Sequence, residues 1–287
     1  MNPRRASVVV AALLLASSCS LEPIDIDAKR ALALRTTITA SDGSSLALIY
    51  KPSANRVLIP LRRVPDHLRD AVLAAEDARF FDHPGYDLQS IARAALVNLR
   101  EGTVVQGGST ITQQYVKNTY FKAPDRTLER KARELRIAIE LERRYSKRHI
   151  LGLYLNTVYL GEGAYGIRAA AETYFRRAVP RLSLAQSALL AAVIKAPAIY
   201  NPRQHPDRAR DRRNYVLDRM TELGMIEPRA ARKARSSGLE LSPKPPRLSV
   251  KQPYFVEAVK REVLADVRLG ENGGQRAAAL YKAAHPQ

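Results

Sequence analysis

The sequence predicts a mainly helical fold, and three observations support that prediction. Apolar residues make up 46% of the 287 residues, which is enough for a sizeable buried core. Tryptophan is absent and only 6% of the residues are aromatic, so the core must consist mainly of alanine, leucine, isoleucine and valine. Long stretches rich in alanine and leucine, interrupted by charged residues, are typical of amphipathic helices.

The first predicted element is a β-hairpin over residues 36–50, in which Asp42-Gly43 forms the turn between two β-prone runs. Apolar spacing, capping residues and helix breakers then predict a series of helices. They cover residues 65–75, 87–100, 126–145, 147–155, 169–175, 182–195, 203–235 (an arginine-rich helical region) and 254–267. Glycine-rich loops are predicted at 101–108 and 161–166, and a proline-rich linker at 242–246.

The N-terminal residues have the pattern of a secretion signal. Arg4 and Arg5 form a positively charged start, and an almost unbroken apolar run from Ala6 to Ala16 follows. This run is shorter than the roughly 20 residues that a transmembrane helix needs. The next residues end in Cys19, the only cysteine, and are similar to a bacterial lipobox, so Cys19 is a candidate lipidation site. A plainly cleaved signal and an uncleaved anchor are the alternatives, and all three place the rest of the chain outside the cytoplasm.

The formal net charge of +19 predicts a polyanionic partner. Nucleic acid, anionic lipid head groups and a pyrophosphate-bearing substrate would each fit that charge. Because the secretion signal argues against contact with nucleic acid, we expect a lipid surface, a pyrophosphate-bearing substrate, or both. The single cysteine excludes a disulfide bond within the chain.

Glu76 is a candidate catalytic carboxylate because of its position. A Glu-Asp pair at a helix end is normally a solvated surface feature. Here the pair follows the apolar run from Ala71 to Ala75 and precedes Phe80-Phe81. A carboxylate held against apolar surface has a raised pKa, which suits general acid or base catalysis near neutral pH.

The segment Gln106–Asn118 concentrates two glycines, several hydroxyl groups, two adjacent amides and a lysine. Such a segment can surround a hydroxylated ligand with backbone and side-chain hydrogen bonds. The alternative is an ordinary polar helix with Ser109 as its N-cap, and the residues taken alone favour this alternative.

A third cluster consists of Arg130, Lys131 and Glu134. Arg130 and Lys131 precede Glu134 by four and three residues, so all three share one face of the predicted helix. One interpretation is a surface ion-pair ladder, which would contribute little to stability. The other is a second carboxylate set among cations that hold a pyrophosphate, since arginine presents a fork of donors and lysine a compact charge.

Two further segments, Lys147–Asn156 and Gly163–Phe175, complete a family pattern. In this order, the five segments resemble the motifs of the family 51 glycosyltransferases, which are the peptidoglycan glycosyltransferase domains of class A penicillin-binding proteins and the monofunctional transglycosylases. The resemblance runs from about Leu61 to Met225. It implies a lysozyme-like, two-lobed, mainly helical fold with a short N-terminal β-prone segment. It also implies polymerisation of lipid II, an undecaprenyl-pyrophosphate-linked disaccharide-pentapeptide, into β-1,4-linked strands by an inverting mechanism.

The resemblance also assigns roles to individual residues. Glu76 matches the catalytic base, and Glu134 matches the second catalytic acid. The positions that match substrate-binding residues are Asp77, Phe80, His83, Ser109, Thr110, Gln113, Gln114, Lys117, Asn118, Arg130 and Lys131. No cofactor is implied as a requirement and no residues argue for a built metal site, although some family members respond to a divalent metal such as Mg²⁺ or Mn²⁺.

The implied partners are lipid II, the growing glycan strand, the outer face of the bacterial cytoplasmic membrane, and a transpeptidase or other cell-wall synthesis proteins, but not nucleic acid. The predicted organisation has four parts. They are a signal or anchor over 1–19, a linker with a short β segment over 20–60, a glycosyltransferase domain over 61–240, and a linker, helix and tail over 241–287.

Two features depart from the family pattern. The fifth motif usually continues Tyr-Phe-Gly-Lys, whereas this chain has Tyr174-Phe175-Arg176-Arg177, so the loss of the glycine is expected to affect a helix end. The Ser-x-x-Lys and Lys-Thr-Gly motifs of a transpeptidase domain do not occur, which predicts a glycosyltransferase-only protein or a truncated relative of a bifunctional one. Two alternatives also stay open: a lysozyme-like glycan hydrolase that uses Glu76 as its general acid, and an inactive envelope-binding relative.

Overall fold

The computed structural model describes residues 34–43, 45–49, 55–101, 107–121, 127–243, 253–272 and 274–276. Within them, α-helices and one two-stranded sheet form two compact units. The first unit contains the described residues between 79 and 151, and the second contains those between 34 and 78 and from 152 onward. The predicted signal and Cys19 lie outside the described residues.

The helices confirm the prediction of a mainly helical fold. In chain order they are α1 (Asp66–Glu76), α2 (Leu88–Glu101), α3 (Ile111–Tyr120), α4 (Leu128–Arg144), α5 (Lys147–Thr157), α6 (Ile167–Phe175), α7 (Leu184–Ile194), α8 (Pro206–Glu222), α9 (Pro228–Ser236) and α10 (Pro253–Ala265). The chain passes from the first unit into the second within α5. Short 3₁₀ turns at Leu61–Arg63, Val179–Arg181 and Val267–Leu269 were not predicted.

The predicted N-terminal hairpin is present in the second unit. Strand β1 (Thr36–Thr39) pairs in antiparallel fashion with β2 (Ser45–Ile49). Gly43 has a φ of +80°, a conformation that favours glycine because a Cβ would be strained there. Its amide donates to the carbonyl of Ala40 at 3.0 Å, so the turn forms where the Asp-Gly pair predicts it.

Helix α7 is the centre of the second unit. Every residue from Ala185 to Ile194 is buried, as the apolar run predicts. Ser183 caps the helix, because its hydroxyl accepts from the amide of Gln186 while its amide donates to the Gln186 side chain. Helices α1 and α8 both pack against α7. The helix that ends at Glu76 is therefore fixed to the apolar core of its unit.

A buried arginine joins α8 to the end of α9. Arg213 is fully buried and donates to the backbone carbonyls of Arg235, Ser237 and Gly238 at 2.8–3.2 Å. These carbonyls terminate α9, where a positive charge is favourable to the helix dipole. The guanidinium also donates to Oδ1 of the neighbouring Asn214. The contact of Arg213 with the end of α9 could not be predicted, since its partners there are backbone atoms distant in the sequence.

The missing glycine of the fifth motif does not displace the end of α6. The helix ends at Phe175, as predicted, and Arg176 adopts the left-handed conformation with φ 50° and ψ 35°. Its amide donates to the carbonyl of Glu172 at 3.1 Å, a bond that usually closes a helix on glycine. The arginine therefore takes a backbone conformation that glycine would adopt with less strain.

Candidate active site

Glu76 is the last residue of α1, in the second unit. The helix places it there by burying Leu68, Val72 and their apolar neighbours against α7 and α8. Atom Oε1 of Glu76 is buried, although the residue as a whole is partly exposed. One carboxylate oxygen is therefore shielded from water, at the end of a helix that packs on the core of its unit.

Asp77 and Tyr154 surround the same helix end. Asp77 is 8% exposed, and its amide donates to the carbonyl of Leu73 at 2.8 Å. Tyr154 of α5 is fully buried, and burial raises the pKa of its hydroxyl well above the usual value. The negative charges of Glu76 and Asp77 raise that pKa further. The Tyr154 hydroxyl therefore stays protonated within electrostatic range of the two carboxylates.

In the first unit, the carboxylate of Glu134 lies between two cations of α4. Glu134 is 2% exposed and forms ion pairs with Arg130 and with Lys131, whose Nζ lies 3.3 Å from Oε2. A carboxylate so deeply buried does not belong to a surface ion-pair ladder. Two cations against one carboxylate leave net positive charge at this place.

Lys131 connects the second motif to the third. Its ammonium donates to Oγ of Ser109 at 3.1 Å and to Oε1 of Gln113 at 3.5 Å, in addition to Glu134. Ser109 and Gln113 lie at the start of α3, where the backbone amides carry partial positive charge. Because 47% of the Lys131 side chain is exposed, its ammonium presents positive charge to solvent beside the start of α3.

The N-cap of α3 is Thr110, so the expectation that Ser109 caps this helix is wrong by one residue. Thr110 and Gln113 form a capping box and are 2% and 3% exposed. The Thr110 hydroxyl also donates to the carbonyl of Gly85 at 2.8 Å. These two residues hold the second motif in place, and their direct contact with substrate stays a prediction. The other predicted residues of this motif are at least partly exposed: Ser109, Gln114, Lys117 and Asn118.

Phe80 and His83 form the interior of the first motif. Phe80 is fully buried, His83 is 9% exposed, and their rings meet edge to face with centroids 6.2 Å apart. The turn that follows contains Gly85, which has a φ of +92°. A Cβ at this position would lie 3.1 Å from the carbonyl oxygen of Ala138 in α4, so the close approach also favours glycine.

The sequence did not reveal a second buried ion pair in the first unit. Glu142 accepts from the hydroxyl of Thr112 at 2.5 Å and from Nζ of Lys147 at 2.9 Å. Lys147 also donates to the carbonyl of His83 at 2.5 Å and lies 4.4 Å from the ring centroid of Phe80. Glu142 stands in a highly charged run that is typical of a solvated helix surface, so only the fold identifies it.

A cavity of about 790 Å³ lies beside this ion pair, within the first unit. Its wall combines the aromatic rings of Phe81, Tyr86 and Tyr145 with the charged side chains of Asp82 and Arg143. The cavity therefore suits a ligand with both polar and apolar parts. Among the described residues, no group of three or more His, Cys, Asp or Glu side chains is placed to hold a metal ion.

Helix α2 exposes its apolar face. Leu88 and Leu99 are 69% and 80% exposed, and Ile91 and Leu96 are also exposed. A helix of a soluble unit normally buries this face, and exposed apolar patches mark contacts with membranes or proteins. In the part of the chain that the structure describes, no helix is both long enough and apolar enough to cross a membrane.

Comparison with known proteins agrees with the motifs. A relative, penicillin-binding protein 1A of Aquifex aeolicus (strain VF5), is 53% identical over 173 residues, which cover 60% of this chain and 24% of that protein. Penicillin-binding protein 1A of Escherichia coli (strain K12) is 38% identical over 244 residues, which cover 85% of this chain and 28% of that protein. The crystal structure of penicillin-binding protein 1A from Haemophilus influenzae matches 83% of this chain and 24% of that chain, with 24% identity and a TM-score of 0.44.

The chain thus spans about a quarter of the length of the relatives that it matches. A family model described as Transglycosylase matches residues 42–221, which is more than half of the chain. This range contains all of the motif segments, from Glu76 to Phe175. The chain therefore belongs to the transglycosylase family.

Proposed function

We propose that this protein is a peptidoglycan glycosyltransferase that polymerises lipid II into β-1,4-linked glycan strands and releases undecaprenyl pyrophosphate. The observation that carries the proposal is the pair of cations, Arg130 and Lys131, held by Glu134 beside the start of α3. An enzyme that transfers a sugar from a lipid pyrophosphate must stabilise that leaving group, whereas a glycan hydrolase has no pyrophosphate to bind. Membership of the transglycosylase family supports the same class of reaction.

In the proposed reaction, Glu76 is the general base. Its carboxylate takes the proton from the 4-hydroxyl of the acceptor sugar while that oxygen attacks the anomeric carbon of the growing chain. The bond from that carbon to the pyrophosphate oxygen breaks on the opposite face, and its electron pair leaves with the pyrophosphate. An α-linked donor therefore gives a β-1,4 bond with inversion, as in inverting glycoside hydrolysis with a sugar hydroxyl in place of water.

Negative charge that develops on the leaving pyrophosphate is the main electrostatic demand of this reaction. The guanidinium of Arg130 and the ammonium of Lys131 would stabilise that charge, and the partial positive charge at the start of α3 would add to their field. Lys117 is exposed on α3 and is proposed as a further cation. Glu134 is proposed as the second catalytic acid, and its ion pairs to Arg130 and Lys131 support a role in holding both cations for the substrate.

The proposed location is extracytoplasmic, at the outer face of the bacterial cytoplasmic membrane, in the periplasm or its equivalent. The exposed leucines of α2 support a contact with lipid, because the transfer of apolar side chains from water into lipid is favourable. The net charge of +19 supports attraction to anionic head groups. The nascent glycan strand and a transpeptidase or other cell-wall synthesis proteins are the proposed partners, and lipidated Cys19 is a proposed anchor.

No cofactor is proposed for the chemical step. No step of the proposed reaction is assigned to a bound metal. Any stimulation by Mg²⁺ or Mn²⁺ is expected to depend on the pyrophosphate of the substrate, since a divalent cation pairs with phosphate oxygens.

Incubation of the purified protein with lipid II tests the proposal. The wild-type protein is expected to produce polymer that gel electrophoresis resolves. Glu76→Gln keeps the size of the side chain but removes the base, and is expected to lower the rate by about 10²–10⁴-fold. Glu227→Gln changes an exposed acid of the second unit and is the matched control, with an expected rate equal to that of the wild type.

The alternatives give different products in the same assay. A lysozyme-like hydrolase would shorten preformed glycan and make no polymer from lipid II. An inactive relative would give neither product, and Glu76→Gln would change nothing. Either result would overturn the proposed function.

A further inference from the structure

We propose that Glu142 is a positioning residue for this reaction, which holds the substrate-binding start of α3 against the first motif. The inference rests on the proposed function and deepens it. It concerns a carboxylate that none of the motif positions includes and that acts through the residues around it.

Glu142 joins three helices through one oxygen atom. Its side chain is 7% exposed, and Oε1 accepts from Thr112 in the first turn of α3 at 2.5 Å. The same Oε1 accepts from Nζ of Lys147, the first residue of α5, at 2.9 Å. Hydrogen bonds to a carboxylate that is shielded from water are strong and directional. The carboxylate therefore fixes α3 and α5 relative to α4, within the first unit.

The first motif is held at the same place by two contacts. Lys147 donates a further hydrogen bond to the carbonyl of His83 at 2.5 Å. On the other side of the turn, a Cβ at Gly85 would lie 3.0 Å from Cγ of Glu142, so the turn packs directly on this side chain. The turn from His83 to Gly85 is thus positioned both by Glu142 and by its ionic partner.

The consequence for substrate binding follows from Thr112. This residue is fully buried and lies two residues after the N-cap Thr110, whose hydroxyl donates to the carbonyl of Gly85. The start of α3 is therefore tied down at two points, one through Gly85 and one through Glu142. The proposed pyrophosphate-binding cations, Arg130 and Lys131, lie beside this same helix start, where Lys131 donates to Ser109.

Loss of the Glu142 charge is expected to loosen this arrangement without removing any group from it. Lipid II would then bind more weakly, while proton transfer by Glu76 would keep its rate and its pH dependence. This pattern separates a positioning role from a purely structural one. A structural defect lowers the amount of folded protein and leaves the affinity of the folded fraction unchanged.

Glu142→Gln tests the inference, because it keeps the shape of the side chain and removes the charge. Glu140→Gln is the matched control, since it makes the same change on the same helix and also breaks an ion pair, with Arg144, at a side chain that is 33% exposed. In lipid II polymerisation, Glu142→Gln is expected to raise KM about tenfold, with kcat within about threefold and an unshifted pH profile. Glu140→Gln is expected to match the wild type.

A binding measurement makes the test independent of turnover. In the Glu76→Gln background, where substrate is not consumed, the Kd for fluorescent lipid II is expected to rise about tenfold when Glu142→Gln is added, and not when Glu140→Gln is added. Circular dichroism checks that each variant is folded. If Glu142→Gln does not fold, Thr112→Val removes only the hydroxyl bond and is expected to raise Kd about threefold.

The possible outcomes are distinct. A folded Glu142→Gln variant with wild-type KM and Kd overturns the inference, and so does an unchanged Kd for Thr112→Val where that variant is needed. A fall in kcat at constant KM also overturns it, because it would place Glu142 at the chemical step. If the wild-type protein makes no polymer, the proposed function fails, and the Kd comparison alone then decides the role of Glu142.

Discussion

Replacement of Arg176 by glycine is expected to stabilise the protein. Arg176 follows the last residue of α6 with a φ of 50°, in the left-handed region that residues with a Cβ disfavour. The side chain is exposed, and no ion pair among the described residues includes it. Glycine would therefore relieve a backbone cost without removing a contact that holds the fold together.

The magnitude follows from two opposing terms. The left-handed conformation costs roughly 1–2 kcal/mol for a residue with a Cβ. Glycine, however, increases the entropy of the unfolded chain, which lowers stability by about 0.4–1 kcal/mol. Taking the midpoints of these two ranges, the free energy of unfolding is expected to rise by about 0.8 kcal/mol, which corresponds to an increase in Tm of roughly 2–3 °C for a domain of this size.

Urea denaturation followed by circular dichroism measures this change, and thermal scans give Tm. Arg176→Ala is the matched control, because it removes the same charged side chain but keeps the Cβ. Its stability is expected to stay within about 0.5 kcal/mol of the wild type. An equal gain in both variants would refute the reasoning, since relief of repulsion with Arg177 would then explain it. A loss of stability in Arg176→Gly would refute it as well.

Two further predictions concern the first unit. Leu99→Glu places a charge on the exposed apolar face of α2 and is expected to weaken binding to anionic phospholipid vesicles at least about tenfold in a sedimentation assay. Thermal unfolding is expected to stay unchanged, because the native side chain is 80% exposed. Unchanged vesicle binding would contradict the proposed membrane contact. Burial acts to raise the pKa of Asp87, but hydrogen bonds from Arg79 and Ser90 outweigh it and hold this pKa well below the usual value. Since the pKa of Asp87 is lower in the folded than in the unfolded state, its contribution to the free energy of unfolding is complete above a pH of about 4 and is lost as the pH falls. The stability of Asp87→Asn is therefore expected to depend less on pH than that of the wild type between about pH 5 and 2. Equal pH dependence of the two proteins would disprove the assignment.

Elements decided by neighbouring residues were predicted correctly from the sequence. The apolar run of α7 is buried from Ala185 to Ile194, and the hairpin turns at Asp42-Gly43. In each case the deciding physics is local, because helical spacing and turn conformation depend on residues close in the chain. The end of α6 at Phe175 was predicted as well, although the conformation of Arg176 was not.

Buried charges could not be predicted in the same way. Glu134, Glu142 and Arg213 all stand in highly charged helices, where a solvated side chain is the usual expectation. Glu142 and Arg213 have partners on other helices or in the turn after another helix, which only the fold brings together. Glu134 pairs within its own helix, with Arg130 and Lys131, and helical spacing alone does not say that this pair is shielded from water. Glu134 was identified through its place in a family motif, and Glu142 had no such signal.

The orientation of α2 was equally beyond local reasoning. The spacing of its apolar residues predicts an amphipathic helix, whose apolar face is expected to be covered by protein or by lipid. In the described part of its unit, Leu88 and Leu99 of this face are largely exposed. The same pattern in the sequence is therefore compatible with a core helix or with a lipid-facing one, and the choice depends on what packs against it.

The two buried carboxylates of α4 are better explained by function than by stability. Burying an ion pair removes both charges from water, and replacing such a pair by apolar residues is often neutral or stabilising. The first unit nevertheless buries Glu134 beside Arg130 and Lys131, and Glu142 beside Lys147. One carboxylate organises the cations proposed to bind pyrophosphate, and the other organises the helix whose N-terminus lies beside them. Under the proposed function both carboxylates have a role, because stabilising a lipid-linked pyrophosphate would require positive charge that is fixed in place.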